Sequence, residues 1–141
     1  INASALTAQR LRMDVISSNI ANAETTRARI ENGQAVPYRR KTVVLQPQQE
    51  SFEGLLRAQM SGQNVGQGVK VAQVREDQTP LKQVYNPTHP DANAEGYVFM
   101  PNVDITKEMV DMLAATRSYE ANVTAINASK AMVMKALEIG R

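Results

Sequence analysis

Residues 105–139 read ITKEMVDMLAATRSYEANVTAINASKAMVMKALEI, and this stretch decides the fold. It contains neither Gly nor Pro, the residues that most disfavour a helix interior. Ile105, Met112, Tyr119, Ile126 and Val133 recur every seven residues, and Met109, Val123 and Leu137 supply part of a second series four residues on. That is an a/d heptad, which predicts one long helix seeking a helical partner. Thr116 and Lys130 interrupt the second series; a lone polar residue there costs stability and fixes register. Asp104 is placed to cap the first turn and Gly140 to stop the last. Such a helix would run about 52 Å. It is therefore expected to protrude from any compact module built by the rest of the chain.

The other end looks for the same kind of partner. Ile1 to Asn32 also lacks Gly and Pro, and Leu6, Met13 and Ile20 repeat every seven residues with Ile16 beside them. A helix is predicted from Ser4 to about Ala23, ended by the β-branched Thr25 and Thr26. All six prolines and six of the seven glycines fall between the arms. The expected fold is therefore α+β. Arms 1–32 and 102–141 should pair, antiparallel, as an α-helical coiled coil around a small β-rich module, 33–101. Within that module Asn32-Gly33 is a turn signal. Tyr38–Leu45, a run from Val69 through Val71 and Val74 that ends near Thr79-Pro80, Leu81–Tyr85 and Tyr97–Met100 read as strands, and 86–91, with two prolines, as irregular chain. Val43, Leu45, Val69, Val71, Val84, Tyr97 and Phe99 are the expected core. Phe52, Leu55, Leu56 and Met60 fit a short helix, and Gln46 to Gly68 is expected to be the most mobile part.

Composition excludes several classes of function. A net charge of +2 on 141 residues does not argue for nucleic acid. Only Arg39, Arg40 and Lys41 cluster, which reads as a solvated strand face. The absence of cysteine removes disulfides, thiolate metal sites and a thiol nucleophile, and suits work outside the cytoplasm. No stretch approaches the roughly 20 apolar residues that cross a bilayer. His89 is the only histidine and sits in a Pro-rich turn, so neither a zinc site nor a positioned general base is expected. Gly66-Gln67-Gly68 opens no helix and is not a phosphate loop. Glu76, Asp77, Asp104 and Asp111 do not form a glycosidase pair. No cofactor, no metal and no small-molecule substrate are expected, and the chain reads as a piece of an assembly rather than an enzyme.

The candidate functional residues are therefore packing residues. Asn19 and Asn22 lie three apart on one helix face, although Asn disfavours helix interiors. With Ala21 and Ala23 between and beside them, they suggest a close contact in which amides bond across to another helix. Asn122 and Asn127 invite the same reading; the glycosylation triplets that begin at them are chance matches inside a helix. The packing set is Leu6, Met13, Asn19, Ile20, Ala21, Asn22, Met112, Tyr119, Asn122, Ile126 and Val133.

At these residues the chain becomes familiar. Ser4-Ala5-Leu6-Thr7-Ala8-Gln9-Arg10, leading into Asn19-Ile20-Ala21-Asn22-Ala23-Glu24-Thr25-Thr26, resembles the N-terminal signature of bacterial flagellar axial proteins, the rod and hook family. Tyr38-Arg39-Arg40-Lys41, Val84-Tyr85-Asn86-Pro87, the run Pro90 to Val98, Met100-Pro101-Asn102-Val103-Asp104 and Arg117-Ser118-Tyr119-Glu120-Ala121-Asn122 narrow it to the proximal rod proteins of the basal body. The resemblance covers the whole chain. It implies a short segment before Ile1, and a 46–68 stretch longer than in the shortest relatives. It also implies a structural subunit, exported without a cleaved signal by the flagellar type III apparatus. Such a subunit would assemble with copies of itself and other rod proteins in the periplasmic or cell-wall space, and would transmit torque. The competing readings are a soluble coiled-coil adaptor and a wall-cleaving enzyme beside the rod. The Asn-Ala signature opposes the first, and the want of a carboxylate pair or an activated nucleophile opposes the second.

Overall fold

A computed structural model describes residues 2–48, 54, 56, 59–60 and 68–140. The order is α1 (Asn2–Ala21), β1 (Arg29–Glu31), β2 (Gln34–Val36), β3 (Lys41–Pro47), β4 (Val69–Glu76), β5 (Lys82–Tyr85), β6 (Tyr97–Met100) and α2 (Ile105–Ile139). The α+β arrangement is as expected, with a helix at each end and strands between.

The two helices pair antiparallel. Asn19 meets Glu108 near the end of α1 and the start of α2, and Met13 meets Thr116 farther along. Asp104 caps α2 from extended backbone, its carboxylate accepting from the amides of Thr106 at 3.0 Å and Lys107 at 3.4 Å. Gly140 ends the helix at ordinary negative φ, its amide donating to the Ala136 carbonyl.

One part of the heptad reading is corrected. Met112, Tyr119 and Ile126 are half-buried, as their series requires, but their companions are Glu108, Ala115 and Asn122. Both proposed series hold only in their middle: Ile105 and Val133 of the first and Met109 and Leu137 of the second are exposed, while Thr116 and Val123 in the second are half-buried. The reason is steric and electrostatic. A small residue, Ala115, completely buried, lets α1 approach closely. Glu108 is tolerated inside because it is paired there. By residue 126 α1 has run out, and every residue from Asn127 to Gly140 is exposed. That overhang is about 20 Å long.

The middle consists of three antiparallel two-stranded ribbons. β1 and β2 close through Asn32 and Gly33, at φ 51° and 78°, a turn with both central residues left-handed. The turn was expected but its strands were not, since three exposed residues a side carry no hydrophobic alternation. β3 and β4 form the longest ribbon. Val44 pairs with Gln73 and Leu45 with Val71, so Ala72 is an extra residue, a bulge. This ribbon packs on α1, where Val43, Leu45, Val69 and Val71 are half-buried. It approaches the start of α1 closely at a glycine: a Cβ on Gly68 would lie 2.8 Å from the Ser4 hydroxyl oxygen, which also accepts from the Val69 amide, so a larger residue would displace that hydroxyl.

In the third ribbon three expected core residues are exposed: Val84, Tyr97 and Phe99. Val98 and Met100 face inward, Val98 only 2% exposed, and the pleat therefore turns Tyr97 and Phe99 outward with Tyr85 and Gln83. Val84 shares the face of Val98, but β5 is exposed along its whole length. The core here is Val98, Pro101 and Val103. In the 46–68 stretch the described Leu56 and Met60 are helical and exposed. Phe52, Leu55 and the expected loop at 61–67 lie outside the described residues, as do Ile1 and the mobility expected of the stretch.

Candidate functional site: a buried polar clamp and an exposed apolar face

The end of α1 carries the least solvated polar group of the helix pair. Asn19 is fully buried, and its carboxamide uses every hydrogen-bonding position. The nitrogen donates to the Lys41 carbonyl at 2.8 Å and to Glu108 Oε2 at 3.1 Å. The oxygen accepts from the Tyr38 hydroxyl and the Lys41 amide, both at 2.9 Å. Ser18 lies 3.3 Å from the same hydroxyl. One side chain thus joins α1, the chain entering β3, and α2.

Glu108, also fully buried, completes the junction. Its other oxygen takes the Nε–H of Arg40. The rest of the guanidinium reaches Asp77 at 3.3 Å and Asp111 at 3.5 Å. Asn102 binds the backbone on both sides: its oxygen accepts from the Arg40 amide at 2.8 Å and its nitrogen donates to the carbonyls of Asp77 and Thr79. Burial disfavours the Arg40 charge. The hydrogen bond and charge of Glu108, and then those of Asp77, outweigh burial and raise Arg40 above its ordinary value. The Asp77 carboxyl is held below the carboxylate range, first by the Thr79 hydroxyl and amide, then by Arg40.

A second, smaller junction fastens the 86–96 loop to the segment after α1. Asp91 accepts from Thr26 at 2.8 Å and pairs with Arg27 at 2.6 Å. The Thr26 hydroxyl, then Arg27 and His89, lower its carboxyl. His89 serves the same loop: its Nδ1 accepts from the Asp91 amide at 3.1 Å.

The packing residues divide. Leu6, Met13, Ile20, Met112, Tyr119, Asn122 and Ile126 are half-buried. Met13 touches Thr116, while Asn22 and Asn122 bond back to Ser18 and Ser118 in their own helices rather than across. Ala21 and Val133 are exposed, so neither is packed within this chain, and Ala8 and Ala115, not Ala21 and Ala23, are the enclosed small residues. Sequence reasoning missed Arg40, Glu108, Tyr38 and Asn102. The reading of 39–41 as a solvated face is corrected by Arg40, whose side chain is 16% exposed. The available signal was Glu108, four residues before Met112 on the heptad face.

Away from the clamp, α2 presents apolar residues to solvent. Ile105, Met109 and Leu113 follow one another at single-turn spacing near its start; Met132, Val133, Leu137 and Ile139 gather near its end. Among the described residues no group of His, Cys, Asp and Glu could hold a metal ion, and no helix is long and apolar enough to cross a membrane. The chemistry of the clamp is one of paired charges and saturated amides, suited to holding elements together.

Known proteins resemble this chain at both ends and along its length. Residues 1–29 match the family described as flagella basal body rod protein, and residues 94–139 the C-terminal family of flagellar basal body rod FlgEFG proteins. The flagellar basal-body rod protein FlgC of Bacillus subtilis is 64% identical over 142 residues, covering 100% of this chain and 95% of that protein. The FlgC of Borreliella burgdorferi is 46% identical, covering 95% and 90%, and that of Salmonella typhimurium 45%, covering 100% and 94%. End to end and at this identity, the chain belongs to the FlgC family of flagellar basal-body rod proteins.

Proposed function

We propose that this structural subunit of the flagellar basal-body rod acts without catalysis and joins its neighbours through the apolar surface that α2 leaves uncovered. The family makes it a rod subunit. The overhang of α2 beyond α1 carries the proposal. Thirteen residues, Asn127 to Ile139, end in an exposed set of Met132, Val133, Leu137 and Ile139 that no part of the described chain covers. In an assembly, burying such side chains contributes at roughly 25 cal/mol per Å² of apolar surface.

The parts then take separate work. The arms, 1–32 and 102–141, make the contacts with other rod subunits, copies of this chain included, and the module 33–101 stands off from them. Ala21 and Val133 serve neighbours, whereas the half-buried members of the packing set serve the chain itself. The clamp ties arms to module, so torque applied to one is passed to the other. Export by the flagellar type III apparatus and a place in the proximal rod, outside the cytoplasm, complete the reading.

Leu137→Asp tests it. The side chain is 65% exposed, so the isolated subunit should keep its urea midpoint, within about 0.5 kcal/mol. Swimming should be lost and the variant should be missing from purified basal bodies. Normal swimming with the variant present in basal bodies would sink the proposal.

A further inference from the structure

The apolar pattern of the helix pair does not by itself choose one alignment. The series Leu6, Met13, Ile20 on α1 repeats every seven residues, and so does Met112, Tyr119, Ile126, Val133 on α2. Sliding α1 by one repeat, about 10 Å, toward the far end of α2 would bring Met13 beside Val123. It would set Leu6 near Lys130 and Val133, on a part of α2 that is now open. The opposite slide is blocked, because it would carry Asn19 past the start of the helix to Pro101. One alternative alignment is therefore available.

What separates the two alignments is polar. In the observed one Asn19 spends its carboxamide on Lys41, Tyr38 and Glu108, and Glu108 is neutralised by Arg40. In the slipped one Asn19 would face Ala115, which is completely buried and offers nothing to bond. If α1 slid alone, the Lys41 peptide would lose both of its bonds to Asn19; if β3 moved with it, Arg40 would leave Glu108. A buried charge or amide without a partner is penalised far more than a misplaced methyl group.

We infer that the Asn19–Glu108–Arg40 cluster is the register pin of this subunit: it selects one of two heptad-related alignments of α1 on α2 and so fixes how much of α2 is left uncovered. Asn19 and Glu108 are positioning residues, and the pin is a property of the single chain, independent of its place in a rod. This is the best-attested use of buried polar groups between helices, applied here to an antiparallel pair closed by a β ribbon.

The chain has no cysteine, so the alignment can be read by thiol cross-linking in the full chain. Two reporters are needed: Met13→Cys with Thr116→Cys for the observed alignment, and Met13→Cys with Val123→Cys for the slipped one. Each is treated with a short bis-maleimide. With the pin intact, the 13–116 product should exceed the 13–123 product by at least about tenfold. With Asn19→Leu and Glu108→Leu together, the two should come within about threefold. Val98→Ala weakens the third ribbon without touching the pair and should leave the first ratio unchanged. A tenfold preference that persists in the double variant, with helical circular dichroism retained, overturns the proposal; so does an equal shift in Val98→Ala. Should the double variant lose its helix signal, Asn19→Gln decides, since it keeps the carboxamide but moves it by one methylene. The ratio should fall there too, and an unchanged ratio overturns the pin.

Discussion

The two halves of α2 differ in what they leave to water. Beside α1, the completely enclosed side chains are Glu108 and Ala115, and the enclosed partner across from them is Asn19. Beyond α1, Met132, Val133, Leu137 and Ile139 stand in water. Along this helix pair two polar side chains, Asn19 and Glu108, are enclosed while much of the apolar surface of α2 is open. Burial in the first half is set by what the chain fastens to itself, and exposure in the second follows from α1 having ended. Apolar contact is cheap to slide and easy to share, while a saturated amide network is neither.

The sharpest way to break the comparison is to strip one charge from the enclosed half. Arg40→Ala leaves Glu108 buried without its partner, and should cost about 3–5 kcal/mol in urea unfolding. A loss below 1 kcal/mol would mean that water reaches Glu108 and that the clamp is not sealed. Asn19→Ala should cost less, about 2–3 kcal/mol, because the groups left behind are mostly neutral. If it costs as much as Arg40→Ala, the amide and not the ion pair governs the junction.

Acid should act on the same junctions more weakly. The Asp77 and Asp91 carboxyls are held below the ordinary range when folded. Their contribution is therefore present above the unfolded carboxylate value and is lost as pH falls through the depressed folded values. Stability measured down through the carboxylate range should drop, and Asp77→Asn together with Asp91→Asn should flatten that drop. An identical acid limb in the double variant would assign the loss to other groups. The smallest effect belongs to the open half: Lys135→Ala removes an exposed pair with Glu138 and should change stability by no more than about 0.5 kcal/mol. A larger loss would show that the overhang is fastened to something within the chain.

Much of the frame was legible in sequence because it rests on local rules. The Gly- and Pro-free ends, Asp104 before Ile105, Asn32-Gly33 and the short apolar run 97–100 before Pro101 each fix a few dihedrals without reference to the rest. The clamp was illegible for the converse reason. Residues 19, 38–41, 77, 102 and 108 carry no shared spacing, and only the docking of β3 on α1, with Arg40 reaching the start of α2, brings them together. The heptad gave the existence of a helix partner but not which neighbouring stripe α1 would choose. Small size at Ala115 and neutralisation at Glu108 decided that. The outward turn of Tyr97 and Phe99 was missed because a ribbon of two strands has only one side to cover, and composition does not say which.

The way Asn19 meets Lys41 has a consequence for solubility. Its carboxamide gives one bond to the carbonyl of that residue and takes one from its amide, as a neighbouring strand would. β3 has a margin that β4 does not occupy, and a helix side chain sits at its head while Pro47, which has no N–H, sits at its tail. An incoming strand from another molecule finds the first rung already taken and the last one missing. This margin is therefore a poorer template for cross-β pairing than a strand edge open at both ends. Asn19→Ala, which vacates the first rung, is expected to raise thioflavin-positive aggregation over the parent chain, and an unchanged signal would place the protection elsewhere.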